Sequence, residues 1–450
     1  VPIGTNGQIS IYNYAGTTDV IVDVLGWFPT GNTYTGLNPA RLLDSRVPPP
    51  APPAPAGAIR NLLVVTPGGQ QMAGLDRIAV WVCDVPADST SWSYAGAANP
   101  PLAVDPGAVA TWAQQTVAPY FAAVSGGRYR TSFVALGRIA LAPSDDSNDC
   151  LDKAEAATPA PYTNVFATDT SARGSGVGSP GLISSYEPNN YFDFTKPPSQ
   201  TRRGLWIGGS SIVRNVAPNI LVHEIGHTLK WPHSYVGSSG SVSEYTNPVD
   251  VMSGQPDDGW CSRSESGGYT VEWPCVPQNT LAFNRFAAGW IDEHQVQLHQ
   301  SGATAFALDA PAGGGTQMLA APDPGDPHVM LTLEARPRTG NDSAFPVEGV
   351  VAHVIDQRPG GCYVPWGNGA CTGTERRQAP ALGAPDSYDH VLRVGTTSVI
   401  NGLTVTVSAK NGNTFTGSVS GTFQAPPPGD LGLAAGDQPV GADTWRPILP

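Results

Sequence analysis

The chain has 450 residues, of which 52 are glycine and 44 proline; 40% are hydrophobic, 14% are charged, and the formal net charge is −13. This length exceeds one ordinary core and predicts two or three domains. The acidic balance excludes a nucleic-acid partner, because nothing would neutralise phosphates, and the glycine and proline content favours strands, turns and linkers over long helices. The cysteines are Cys83, Cys150, Cys261, Cys275, Cys362 and Cys371, with no CxxC pair that would suggest a zinc ribbon. Two close pairs, 261/275 and 362/371, leave 83/150 as a longer third. Three disulfides in an oxidising compartment are expected, against the alternative of six reduced buried thiols. Apolar runs fall short of the ~18 residues that span a bilayer, so no membrane span is expected. The sequence shows no signal peptide and does not begin with Met, which reads as a mature or truncated piece of a longer secreted chain.

Residues 8–28, QISIYNYAGTTDVIVDVLGWF, are two alternating runs around an AGTTD turn and predict a hairpin. GLNPARLLDSR (36–46) follows. With the preceding DVLGWF it resembles the end of β-rich modules found in secreted actinobacterial proteins, which implies a partial module over 1–46 and a secreted context. Six prolines among residues 47–56 then predict a stiff linker over 47–57.

DRIAVWVCDV (76–85) reads as a buried strand. DPGAVATWAQQTVAPYFAAVSGG (105–127) has helical spacing, with Asp105 as cap, Pro106 in the first turn, a kink at Pro119 and glycines at the end. RYRTSFVALGRIAL (128–141) and GLWIGGSSIV (204–213) read as strands. NVAPNILVHEIGHTLK predicts a helix from near Asn215 to Lys230, and NTLAFNRFAAGWI (279–291) a further amphipathic helix. Strands alternating with helices predict an α/β layout over 58–293. From His294 the pattern changes to short strands separated by Gly, Pro and Asn: VMLTLEARP, GVVAHVIDQ, HVLRVG, LTVTVSAK and FTGSVSGTF. These predict an all-β, sandwich-like domain over 294–424 and a loose tail over 425–450. The fold class expected is therefore α+β and multi-domain.

The stretch LVHEIGHTLKWPH (221–233) carries the chemistry. His223 and His227 are four apart on a helix, so both imidazoles can reach one metal ion. Glu224 stands beside them, placed to take a proton from a metal-activated water. A random chain of this composition would give roughly 0.01 such matches. His233 is the expected third ligand, which requires the helix to stop after His227. Glycine usually makes such a stop, because it adopts positive φ freely; here Lys230 holds the position. A left-handed lysine costs about 1–2 kcal/mol, small beside the ~10–16 kcal/mol of a structural zinc site, and Pro232 breaks the helix regardless by excluding Trp231 from the α region. Glu244, Glu265 and Asp250 are the competing third ligands.

HEIGHTLKWPH followed by NPVDVMSG resembles the metzincin metallopeptidases, whose pattern is HExxHxxGxxH, or Asp last, with a later methionine turn beneath the metal. Met252, 19 residues after His233, matches that turn. FAAVSGGRYR (121–130), NTLAFNRFAAGWI and MLTLEARPRTGNDSAFPVEGVVAHVID (330–356) resemble segments of the immune-inhibitor-A and gametolysin-like secreted peptidases. His rather than Asp at 233 is closer to the gametolysin-like variant, and Lys230 departs from the glycine of the pattern. The resemblance, over about 110–360, implies a metzincin-like catalytic domain with one catalytic Zn²⁺ on His223, His227 and His233 and with Glu224 as general base. The implied activity is endopeptidase cleavage of extracellular proteins or peptides. Tyr235, Tyr245 and Tyr269 are candidates for stabilising the oxyanion.

Other chemistries have no support: GxSxG and GxxxxGK[ST] are both absent. His294, His299, His328, His353 and His390 are scattered and read as surface or β-domain residues. PSDDSNDC (143–150) has oxygens enough for Ca²⁺ but lacks the EF-hand spacing, and reads as a solvated loop anchored by a disulfide. GCYVPWGNGACTG (361–373) reads as a disulfide-closed loop. The reading from another class is a non-catalytic extracellular adhesion or binding protein that keeps a zinc site; an intact Glu224 argues against it.

Overall fold

Strand alternation accounts for the central sheet. In the computed structural model, residues 21–27, 35–44, 72–96, 100–174, 176–182, 202–213, 218–231, 234–238, 241–244, 247–253, 264–266, 269–271, 277–326, 329–356, 378–380, 388 and 391–425 are described. The chain divides into two compact units, Val1–Pro52 and Pro53–Pro450.

In the first unit, β1 (Ile21–Trp27) pairs antiparallel with β2 (Thr35–Asp44), with Val24 opposite Ala40. The partner of IVDVLGW is thus TGLNPARLLD, and the run at 8–13 lies outside the described residues.

The second unit begins with β3 (Gly74–Asp84), α1 (Pro106–Thr116), α2 (Ala118–Val124), β4 (Tyr129–Ala140), α3 (Ser147–Ala157), β5 (Asn164–Asp169), β6 (Gly176–Ser179), β7 (Arg203–Ile207), α4 (Gly209–Val213) and α5 (Asn219–Thr228). Asp105 caps α1, its side chain accepting the Ala108 N–H, and Pro119 divides the predicted 105–127 helix into α1 and α2. The sheet order is β4-β3-β5-β7-β6, parallel except for β6, which runs antiparallel to β7 at the edge. Alternate residues separate the two faces. Ile78, Val80 and Val82 join Phe121, Leu221 and Ile225 on the face covered by α1, α2 and α5. Cys83, Val165, Ala167 and Trp206 meet Leu151 and Ala154 of α3 on the other.

Two expectations need correction. GLWIGGSSIV is a strand only to Ile207. Gly208 and Gly209 lie against the main chain of Arg173 and Asp169, where a side chain would collide, and the chain turns into α4. PSDDSNDC is not a loop throughout, because α3 starts at Ser147. Asp146 and Asp149 form a reciprocal capping box, Trp92 donates to Asp146, and Lys153 pairs with Asp145. The acidic residues thus serve the helix N-terminus, where anionic groups are favoured. Cys150 of α3 is disulfide-bonded to Cys83 of β3; the other four cysteines and the 361–373 segment lie outside the described residues.

Next come the ribbons β8 (Tyr235–Ser238)–β9 (Ser241–Glu244) and β10 (Ser264–Ser266)–β11 (Tyr269–Val271), then α6 (Ala282–Ala287), shorter than the predicted 279–291 helix. The remainder is β12 (Val296–Leu298), β13 (Ala303–Leu308), β14 (Met318–Pro322), β15 (Val329–Arg336), β16 (Gly349–Asp356), β17 (Gln378–Pro380), β18 (Val391–Leu392), β19 (Thr397–Ile400), β20 (Leu403–Asn411) and β21 (Thr414–Gly421). One sheet has the order β12-β14-β15-β16-β17, with β18 also on β16; the other is β13-β21-β20-β19. Leu331, Leu333, Val350 and Ala352 of the first and Phe306, Val405, Phe415 and Val419 of the second share one core. Among the described residues no helix is long and apolar enough to cross a membrane.

Candidate metal centre

Helix α5 puts Leu221, Val222 and Ile225 into the core and leaves His223, Glu224 and His227 together along its length, all buried. The two imidazoles are edge-to-face, with ring centroids 4.6 Å apart. Each ring is fixed from behind. His223 Nδ1 lies 2.9 Å from the Val251 carbonyl oxygen, and His227 Nδ1 lies 2.8 Å from that of Trp231. A carbonyl can only accept, so each Nδ1 carries the proton and each Nε2 a lone pair. The Nε2 atoms stand 3.0 Å apart. Two lone pairs converging on one point repel each other, whereas a cation between them attracts both. Burial also pulls His223 down to about 4 and His227 well below the usual imidazole range, so both are neutral at pH 7. Neutral rings with backbone-anchored Nδ1–H groups are the state that ligates zinc, so the pair fits the ion that the motif implies. Among the described residues no group of three or more His, Cys, Asp or Glu is placed to hold a metal, and His233 lies outside them.

The helix stop explains how Trp231 reaches His227. Lys230 has φ 66°, the left-handed conformation. Its N–H donates to the His227 carbonyl at 2.8 Å, and the Trp231 N–H to that of Gly226 at 3.0 Å. This pair of bonds is a Schellman turn with lysine in glycine's usual place. The Trp231 ring, fully buried, packs edge-on against Trp290 at 5.2 Å. The turn's strain is thus held by an aromatic anchor, and the same turn aims the Trp231 carbonyl at His227.

Met252 is fully buried beneath the helix at Gly226, where an added Cβ would overlap Met252 Sδ and come within 2.8 Å of the Trp231 ring. The Met252 carbonyl accepts the Ser234 N–H at 3.2 Å, which brings the chain back to this turn just past residue 233. Gly226→Ala therefore sets two effects against each other. Helix propensity favours alanine by about 1 kcal/mol, and the overlap costs about 1–3 kcal/mol. The Trp231 ring is wedged and cannot yield, so we expect a lower urea midpoint for Gly226→Ala; a higher midpoint would show that Met252 and Trp231 relax freely.

Burial pushes the Glu224 carboxyl well above the usual range, and no ion pair among the described residues offsets it. Its side chain lies against β6: a Cβ at Gly176 would come within 2.9 Å of Glu224 Cδ, and one at Gly178 within 2.9 Å of His227 Cβ. The two glycines let an edge strand lie directly on the helix that carries the site. Sequence reasoning missed them, although glycines at 174, 176 and 178 are a period-2 signal of a strand face without side chains.

Of the competing third ligands, Asp250 is fully buried and accepts the Met252 N–H at 3.2 Å; burial pushes its carboxyl up to about 6. Glu244 and Glu265 lie in β9 and β10, but their side chains, like those of Tyr235, Tyr245 and Tyr269, are outside the described residues. His299 and His353 are buried within the β-rich part, His299 on Thr304 and Gly421 and His353 on Asn247. No protein-family model matches the chain, and no curated protein matches it.

Proposed function

We propose that the protein is a zinc-dependent endopeptidase of metzincin type that acts on extracellular proteins or peptides. The carrying observation is the convergence of His223 and His227 Nε2 at 3.0 Å, with Glu224 buried on the same helix against an edge strand. A zinc ion held by His223, His227 and His233 would supply Lewis acidity, polarising the scissile carbonyl and lowering the pKa of a water toward ~7. Glu224 would take a proton from that water and pass it to the leaving amine. The Cys83–Cys150 disulfide supports an oxidising, extracellular setting.

The test combines metal analysis with cleavage of casein or gelatin. We expect about one zinc per chain, cleavage lost with a chelator, and cleavage restored by added Zn²⁺. Zinc bound without cleavage of a broad peptide library would favour the binding-protein reading, and no zinc uptake would remove both.

A further inference from the structure

The turn that orients His223 is built into the C-terminal β-rich part by three separate contacts. Val249 packs with Phe345, Val351 of β16 and Val391 of β18. Asn247 Nδ2 lies 3.1 Å from Nε2 of His353, again on β16. The third contact is polar and runs through Asn279. The Val251 N–H points at the Asn279 carbonyl, 3.4 Å away. Asn279 is itself clamped by Asp342, whose two oxygens accept the Asn279 N–H at 3.0 Å and its side-chain amide at 2.8 Å. Arg336 of β15 grips the same carboxylate at 2.7 and 2.8 Å and reaches the Asn279 carbonyl at 3.2 Å. Arg336 and Asp342 are both fully buried, and the guanidinium lies over the Phe345 ring. A buried ion pair with fixed, two-pronged geometry has few other arrangements open to it.

We propose that Asp342 and Arg336 are positioning residues for the metal site, fixing the orientation of His223 through Asn279 and the Val251 carbonyl. The sheet from β12 to β18 is then the foundation of the metal centre rather than an appendage. Partners behind a metal-ligating histidine set its tautomer and ring direction, and their loss typically weakens metal binding 10–100-fold. Asp342 acts through two intervening residues, so the lower end of that range applies. This inference rests on the zinc reading above.

The experiment measures Zn²⁺ affinity by competition with a chromophoric chelator in the full chain, together with thermal melting and kcat and KM on a peptide substrate. The variants are Asp342→Asn and Arg336→Lys, which keeps a positive charge beside Asp342 and loses the two-pronged grip. Both are assayed at a temperature where near-ultraviolet circular dichroism shows them folded; if Asp342→Asn does not fold, Arg336→Lys decides alone. We expect Zn²⁺ affinity to fall about tenfold and kcat to fall with KM little changed. A lower melting temperature with Zn²⁺ affinity within about twofold of the parent would reduce the network to an ordinary stabilising one and overturn the inference, leaving the zinc reading standing. A parent chain that takes up no zinc overturns both.

Discussion

Glu224→Gln is expected to lower kcat for peptide cleavage by roughly 10²–10⁴-fold, the usual contribution of a positioned general base, while zinc content stays at the parent level. Glutamine has the shape of the glutamate it replaces, and among the described residues the carboxyl has no ion-pair partner that the change would strand. Its cost is burial alone, which a neutral amide lowers, so the variant should fold at least as well as the parent. The helix that carries His223 and His227 is therefore undisturbed, and activity separates from metal binding. Cleavage of casein at the parent rate by zinc-loaded Glu224→Gln would falsify the peptidase mechanism. Loss of zinc together with activity would show instead that Glu224 acts as a ligand.

The second large effect is on stability. Cys83 and Cys150 are 67 residues apart and join β3 to α3 across one face of the sheet. Closing a loop of that length removes about 4 kcal/mol of chain entropy from the unfolded state in the loop-closure model. The double variant Cys83→Ala/Cys150→Ala should lose about that much, or roughly a thousandfold in the folding equilibrium, with the loss seen as a lower guanidinium midpoint at an unchanged slope. The parent treated with reductant should behave in the same way. A midpoint that does not move would mean that packing by Leu151, Ala154 and Val165 holds α3 without the covalent link. His223 and His227 sit on the opposite face, so on the zinc reading the variant should bind Zn²⁺ as the parent does under conditions where it is folded.

Much of this protein was legible in the chain itself. The fourfold spacing of His223 and His227 places them on one side of any helix, because 3.6 residues make a turn whatever surrounds it. The same local logic delivered the cap at Asp105, the break at Pro119, the buried strand at 76–85 and the need for a left-handed residue at Lys230. These are rules of neighbours, and neighbours are what a sequence records. Where local signals compete, neighbours mislead: the apolar run at 204–213 reads as one strand, yet Gly208 and Gly209 meet the Arg173 and Asp169 main chain. The acidic run at 143–150 reads as a loop, because a capping box and a solvated acidic turn use the same residues.

Tertiary structure alone decided what stands behind the site. The partner of His223 is a carbonyl 28 residues away, and the carboxylate steadying Asn279 comes from 63 residues further along. Both depend on which elements pack together, and no spacing rule reaches that far. The same holds for Gly176 and Gly178, whose place against Glu224 follows from β6 reversing direction at the sheet edge. The sequence determined which side chains could gather at one ion. The packing of an edge strand, an aromatic anchor and a buried Arg336–Asp342 pair decided the surroundings in which they stand.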